Sequence, residues 1–319
     1  MRAYRIETLD ARPEIVECDR PVPGPGMVLL RIAACGLNFA DLLMLDGKYQ
    51  EKPPLPLTPG IEMAGTVEAL GDGADPALLG RRVAVFAQSG GLAEYGCFPA
   101  ERCLSIPETM SFVQAAAFQV AYGTSHVALA HKARLVRDET LLVLGAAGGV
   151  GLTAVEIGKL MGARVIACAR GGEKLAAARA AGADHLIDSA TEDIRHAVLA
   201  LGGADVVYDP VGGAQFKAAF RACNPEARIL VIGFASGEVP QIPANHLLVK
   251  NISVIGEYWG GYMTFRPKVL TDSLAQLFDW FEEGRLHPHI SHEIPLARAA
   301  QALDLLRARK STGKVVVTM

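Results

Sequence analysis

The sequence predicts an α/β protein in two parts, a β-rich first portion followed by a doubly wound parallel sheet. Three observations carry this. Short apolar runs separated by turn-forming clusters fill the first third of the chain. From about Thr140, six short apolar runs alternate with helical patterns, the rhythm of a parallel sheet with crossover helices. At the head of that series LLVLGAAGGVGL, Leu141 to Leu152, runs an apolar strand straight into Gly145, Gly148, Gly149 and Gly151.

In order along the chain, MVLLRIAACG, EMAGTVEAL and RRVAVFA read as strands, and PVPGPG, KPPLPLTPG and GDGADP between them as turns and loops. Ser111 with Gln114 forms a capping box for a helix through Ala115 to Ala117. The six later strands are LLVLG, RVIACA, HLID, DVVYD, RILVIGF and ISVIGEY. Their continuous apolar character fits burial on both faces. Beyond Tyr258 lie two helical patterns, TDSLAQLFDWFEEG and LARAAQALDLLRARK, and a closing strand, GKVVVTM. No short-period repeat occurs, which argues against a solenoid.

A length of 319 residues allows two domains. The net charge of −3 and pI of about 6.3 imply no broad basic face, so no nucleic-acid partner is expected. No apolar run approaches the ~18 residues of a membrane span. The start, MRAYRIETLD, lacks an apolar signal core, and the six cysteines lie far apart with no CxxC. A cytoplasmic protein with reduced, mostly buried thiols is expected.

The glycines follow the first strand of the six-strand series and open a helix at Val150. Residues without Cβ permit the tight turn and a close approach of backbone N–H groups to a diphosphate on the helix dipole. The backbone of Ala146, Gly148, Gly149 and Val150 is therefore the expected diphosphate cradle, and a turn needed only for packing is the alternative. An acid at the end of the next strand would select NAD. That strand ends in Ala169 and Arg170, and the first acid is Glu173. Arg170 and Lys174, with Ser189 after the third strand, suit a 2′-phosphate, which points to NADPH. Asp188 beside Ser189 counts slightly against this, and solvated helix-start charges are the alternative.

Several stretches together resemble the medium-chain dehydrogenase/reductase superfamily over essentially the whole chain, and within it the zinc-free quinone oxidoreductase, zeta-crystallin-like branch. They are PGPGMVLLRI, NFADLLMLDGKY, PLTPGIEMAGTVEALG, GAAGGVG, VVYDPVGG and TGKVVV. The resemblance implies a GroES-like catalytic domain from residues 1–121 and 259–319, and a Rossmann domain from 122–258. The active site is expected in the cleft between them. The superfamily's zinc enzymes carry a Cys and a His that ligate metal. Here Asn38 and Ile61 stand at those positions, with Glu62 retained, and only Cys97 and Cys103 lie where the family has a four-cysteine cluster. These residues cannot complete a zinc site, so no metal is expected. Among the eight histidines, His126 and His131 are read as surface or interface residues.

Without a Lewis acid, the acceptor must already take hydride well, as a quinone or an α,β-unsaturated carbonyl does. The resemblance places the Asn38 amide against the nicotinamide or the substrate oxygen, and the Tyr49 phenol at the lip of the same pocket. A turn role for Asn38 and loop packing for Tyr49 are the alternatives. It further implies cofactor contacts from Thr124, from Gly233, Phe234 and Ala235, and from Lys314 with Arg309 nearby. The edge strand ISVIGEYWG implies a homodimer. The leading expectation is NADPH-dependent quinone reduction. Reduction of the C=C bond of enones, enals or enoyl thioesters is the alternative, and a non-enzymatic NADPH-binding structural or RNA-binding role is the rival from another class.

Overall fold

The computed structural model describes residues 1–8, 11–51 and 53–319. The chain opens with an antiparallel pair, β1 (Arg2–Arg5) and β2 (Glu14–Glu17). Next come β3 (Met27–Gly36), α1 (Phe39–Leu45), β4 (Glu62–Leu70), β5 (Arg82–Phe86), β6 (Tyr95–Pro99), β7 (Cys103–Ser105) and α2 (Phe112–Ala116). The three strands read from the sequence are β3, β4 and β5, which pair antiparallel in that order. Their alternation places Val28, Leu30, Ile32, Val67, Val83 and Val85 in one core. Ser111 and Gln114 cap α2 reciprocally, with N–H to side-chain oxygen distances of 3.1 and 2.9 Å. The helix ends one residue earlier than the alanine run, with Ala117 as its C-cap.

Helix α3 (Gln119–His126) and a π-helical turn, Val127–Lys132, lead into the second sheet. Here β8 (Thr140–Leu144), α4 (Gly149–Leu160), β9 (Arg164–Ala169), α5 (Gly172–Ala180) and β10 (His185–Asp188) form the first half. The second half is α6 (Ile194–Ala200), β11 (Ala204–Asp209), α7 (Gly213–Arg221), β12 (Cys223–Val231), α8 (Ala244–Lys250) and β13 (Ser253–Gly256). All six strands are parallel in the order β10-β9-β8-β11-β12-β13. Leu142, Leu144, Ile166, Val207 and Ile229 are wholly buried, which is why these strands show no alternation. The winding reverses between β8 and β11, the position at which doubly wound sheets bind ligands beyond their carboxyl ends.

The chain finishes with α9 (Tyr262–Phe265), α10 (Pro267–Glu282), β14 (Ile290–Pro295), α11 (Ala299–Arg307) and β15 (Lys314–Thr318). β15 pairs antiparallel with β3, so the first sheet runs β14-β15-β3-β4-β5-β7, with β6 also on β3.

By compactness the units are Met1–Val120 with Pro288–Met319, and Ala121–His287. The sequence places residues 259–319 together with the N-terminal portion. The structure instead leaves 259–287 in the second unit, because α10 packs on that unit's helices. His126 Nδ1 lies 2.8 Å from Ser273 Oγ, the His126 ring stands edge-on to Trp280 at 5.2 Å, and the His287 N–H donates to Glu156 at 2.6 Å. His126 is therefore an interior residue of its unit rather than a surface one, and burial pulls it down to about 4. The His131 ring meets Tyr262 edge-on at 6.0 Å. All six cysteines are free thiols, with Cys35, Cys168 and Cys223 buried. Among the described residues, no helix is long and apolar enough to cross a membrane, and no group of three or more His, Cys, Asp or Glu side chains is placed to hold a metal ion.

Candidate functional site

In the first unit, the end of β3, the start of α1, the start of β4 and the start of β15 bring four polar side chains into the interior. Asn38, Asp41, Glu62 and Lys314 are 9%, 0%, 0% and 6% exposed. The pairing of β3 with β15 on one side and β4 on the other makes this possible, because Gly36 is opposite Val316 and Glu62. Lys314 Nζ donates to the Leu37 carbonyl at 2.8 Å, to Asn38 Oδ1 at 2.7 Å and to Glu62 Oε1 at 2.5 Å. Asn38 Nδ2 donates to Glu62 Oε1 at 2.9 Å and to the Gly36 carbonyl at 3.3 Å. Glu62 Oε2 accepts the Val120 N–H at 3.0 Å. Asp41 caps α1 from within, accepting the Asn38 N–H at 2.8 Å and the Gly60 N–H at 3.0 Å. Its carboxyl is pushed up to about 6 by burial, against the opposing pull of those two N–H groups and of Lys314.

Asn38 is thus not a loose turn residue. Both of its amide N–H groups point inward. Ile61, at the other metal-ligand position of the resemblance, is a 4% exposed core residue. Tyr49 is half-buried beyond the C-terminal end of α1, where its N–H reaches the Leu43 carbonyl at 3.2 Å. It lines a hollow of about 200 Å³ with Met44, Leu55 and Leu57 among its walls. Asn38 and Tyr49 therefore lie beyond opposite ends of α1, a helix about 10 Å long.

In the second unit the glycine turn joins β8 to α4. Gly145 has φ of +57°, which favours glycine, and the Val211 side chain would lie 2.9 Å from any Cβ placed there. A Cβ on Gly151 would stand 2.2 Å from the Gly145 carbonyl oxygen, so the helix can start this close to the turn only as glycine. The Ala146 N–H is bonded to the Cys168 carbonyl at 3.0 Å and the Gly148 N–H to the Gly145 carbonyl at 3.0 Å. Of the predicted cradle, those two amides hold the turn itself. Gly149 and Val150 are the first residues of α4, where helix geometry leaves N–H groups without an intrahelical acceptor. Below them, Ser125 Oγ lies 2.8 Å from Thr153 Oγ1 and 3.0 Å from the Tyr208 hydroxyl, which ties α3 to α4 and β11. Thr124, the adjacent residue in α3, is 7% exposed.

At the end of β9, Arg170 is exposed and Lys174 half-exposed on the first turn of α5. Ala169 is in register with Asp188, which sets Ser189 beside Arg170. Asp188 is held below the usual carboxylate range by the N–H groups of Ala190 and Gly171, with the nearby Arg170 charge adding to this. Its carboxylate thus ties the turn after β9 together and stays charged beside Arg170. Beyond β12, the Ala235 N–H donates to the Pro210 carbonyl at 3.0 Å, and the Phe234 ring, 38% exposed, leans toward Gly212. Gly233 opens this loop with its N–H toward the Asp209 carbonyl at 3.4 Å. Buried Asp209 in turn holds the Val211 and Gly212 N–H groups at 2.7 and 2.9 Å. Apart from Thr124 on α3, the predicted residues of this unit thus lie beyond the carboxyl ends of β8, β9, β10 and β12.

Residues 24–108 match the model of the alcohol dehydrogenase GroES-like domain, and residues 149–276 that of the zinc-binding dehydrogenases. The chain is 42% identical over 300 residues to the quinone oxidoreductase-like protein 2 homolog of Nematostella vectensis, covering 92% of this chain and 82% of the relative. It is 38% identical to quinone oxidoreductase-like protein 2 of Bos taurus, covering 97% and 90%. The chain belongs to the quinone oxidoreductase branch of the medium-chain dehydrogenase/reductase superfamily. Within this branch, the quinone oxidoreductase of Thermus thermophilus, whose structures include a complex with NADPH, superposes with a TM-score of 0.90 at 33% identity, covering 100% of both chains. As a member of the branch the chain is an oxidoreductase. The second unit fits a dinucleotide cofactor on its own residues, with a turn closed to any Cβ at Gly151 and open helix-start amides at Gly149 and Val150.

Sequence reasoning keeps Glu62 only as the remnant of a metal motif and does not single out Asp41. The signal available was chemical. Two acids that fall at a strand start and a helix start, inside apolar runs, must find partners when buried.

Proposed function

We propose that this protein is an NADPH-dependent, zinc-independent quinone reductase. The observation that carries the reading is the fate of the position where the zinc enzymes hold their metal. Asn38 and Ile61 replace the ligands, and Glu62 is committed to a buried ammonium, Lys314, at 2.5 Å. A site built this way offers no place for a Lewis acid, so the acceptor must take hydride unaided. A quinone does so because the product is an aromatic ring.

NADPH is the cofactor, and when bound it supplies a hydride, while a solvent proton completes the hydroquinone. The N–H groups of Gly149 and Val150 receive the diphosphate at the positive end of α4. Arg170, Lys174 and Ser189 meet the 2′-phosphate, with Arg170 as a two-pronged donor. Thr124 and the Gly233–Ala235 loop border the nicotinamide end. Tyr49 offers a phenol O–H to the quinone oxygen, or its ring face to the quinone ring. The edge strand β13 and the exposed Leu248 and Val249 of α8, 79% and 80% exposed, suit a homodimer.

The test is turnover of 9,10-phenanthrenequinone with NADPH after exhaustive chelation, with metal analysis of the same sample. Undiminished turnover and no stoichiometric zinc are expected. Activity lost with a chelated zinc per chain overturns the reading, and a preference for a short enone moves the substrate class. Sedimentation at twice the 33.8 kDa chain mass is expected for the dimer.

A further inference from the structure

We propose that Lys314 and Glu62 are positioning residues that lock the Asn38 amide as a hydrogen-bond acceptor, and that Lys314 makes no contact with the cofactor. The inference rests on the reductase reading above and deepens it.

The first half follows from what each group is able to do. An ammonium only donates, and an ionised carboxylate only accepts. An amide set between Lys314 and Glu62 therefore has one satisfactory orientation, with Oδ1 toward the ammonium and Nδ2 toward the carboxylate. The distances agree at 2.7 and 2.9 Å. The Gly36 carbonyl takes the second amide N–H at 3.3 Å. No N–H of Asn38 is left to stabilise a developing oxyanion. What remains is one lone pair on Oδ1, which accepts from a hydroxyl or N–H of whatever binds beside it. The clamp is itself rigid. Glu62 is pinned through its other oxygen by the Val120 N–H at 3.0 Å, and the Asn38 backbone N–H is held by Asp41 at 2.8 Å.

The second half is a count of donors. Lys314 has three N–H groups, and the carbonyl of Leu37, Oδ1 of Asn38 and Oε1 of Glu62 receive them at 2.8, 2.7 and 2.5 Å. At 6% exposure it has no donor to turn toward a phosphate or a ribose. The contact with the cofactor that the resemblance implies for this position would require breaking the clamp.

The experiment compares wild type, Lys314→Met, Lys314→Arg and Glu62→Gln by three readouts. These are the NADPH dissociation constant from tryptophan fluorescence, kcat with 9,10-phenanthrenequinone, and the thermal midpoint. Lys314→Met is expected to lower kcat tenfold or more and to leave NADPH affinity within about twofold of wild type, as for loss of a charged hydrogen bond that acts on Asn38 alone. Lys314→Arg is expected to restore part of kcat, which a general packing defect does not allow. If Lys314→Met does not fold, the isosteric Glu62→Gln carries the test, with a lower kcat at unchanged NADPH affinity expected. A tenfold or greater loss of NADPH affinity in Lys314→Met or Glu62→Gln with kcat retained puts Lys314 on the cofactor and overturns the proposal. Unchanged kcat in the folded variants overturns it too. A wild type that does not oxidise NADPH with any quinone fails the reductase reading instead, and the affinity comparison still decides whether Lys314 touches the cofactor.

Discussion

Replacing Glu257 by Gln should stabilise the protein at neutral and alkaline pH and leave it unchanged near pH 4.5. Glu257 follows β13, is 9% exposed, and neither of its carboxyl oxygens has a hydrogen-bond partner among the described residues. Its charge acts on the Tyr208 and Tyr262 phenols, and the Lys132 ammonium is the cation that acts on it. Burial pushes its carboxyl up from 4.5 to about 7, with Lys132 opposing. At about 1.4 kcal/mol per pH unit, keeping this group ionised in the fold costs on the order of 3 kcal/mol. The sign follows from the folded value lying above the unfolded one. The cost is absent below about 4.5, grows as pH rises, and is complete above about 7. Gln has the shape of the protonated acid and does not ionise. Its advantage over wild type should therefore be near zero at pH 4.5 and reach about 3 kcal/mol at pH 8, a rise in midpoint of roughly 6–12 °C for a unit of this size. Calorimetric melts of both proteins across that range measure it. Parallel curves, or a wild type more stable than the variant at pH 8, would refute the argument and mean that the carboxylate has a partner that stabilises its charge.

Three further outcomes are expected. Arg170→Ala should raise the NADPH dissociation constant by about tenfold or more while NADH binding barely moves, as for loss of a charged hydrogen bond to the 2′-phosphate. Equal losses for both cofactors would remove Arg170 from that role. Gly151→Ala places a Cβ 2.2 Å from the Gly145 carbonyl oxygen, so the turn must shift. A loss of about 1–3 kcal/mol in stability and a marked drop in NADPH affinity are expected by chemical denaturation and fluorescence titration. Tyr49→Phe should reduce kcat with quinone more than it changes NADPH affinity, and unchanged steady-state kinetics would leave Tyr49 with a packing role.

The parts of this fold that were legible in the sequence are those decided locally. The six parallel strands are continuous apolar runs bounded by turns, and the glycine turn declares itself because only glycine tolerates its backbone and its neighbours. The capping box at Ser111 and Gln114 is equally local. What was not legible depends on residues far apart in sequence. Lys314 meets Glu62 and Asn38 across 252 and 276 positions, a pairing that only the β3–β15 and β3–β4 registers bring about. Residues 259–287 read as part of the C-terminal return, and nothing local says that Ser273 and Trp280 pack on His126. β14 escapes because its residues are mostly half-buried or exposed, which leaves no apolar run to read. That Arg170, Lys174 and Ser189 fall near one another follows from the order of strands alone, since a parallel sheet delivers every strand end to one edge.

The central claim is that NADPH reduces a quinone here without metal. It is tested most directly by following NADPH absorbance at 340 nm with 1,4-benzoquinone, 9,10-phenanthrenequinone and a short enone in parallel, with NADH as control and chelator throughout. The account predicts fast oxidation of NADPH by the quinones, slow oxidation of NADH and little effect of chelator. No oxidation by any quinone, or oxidation that requires added zinc, would contradict it.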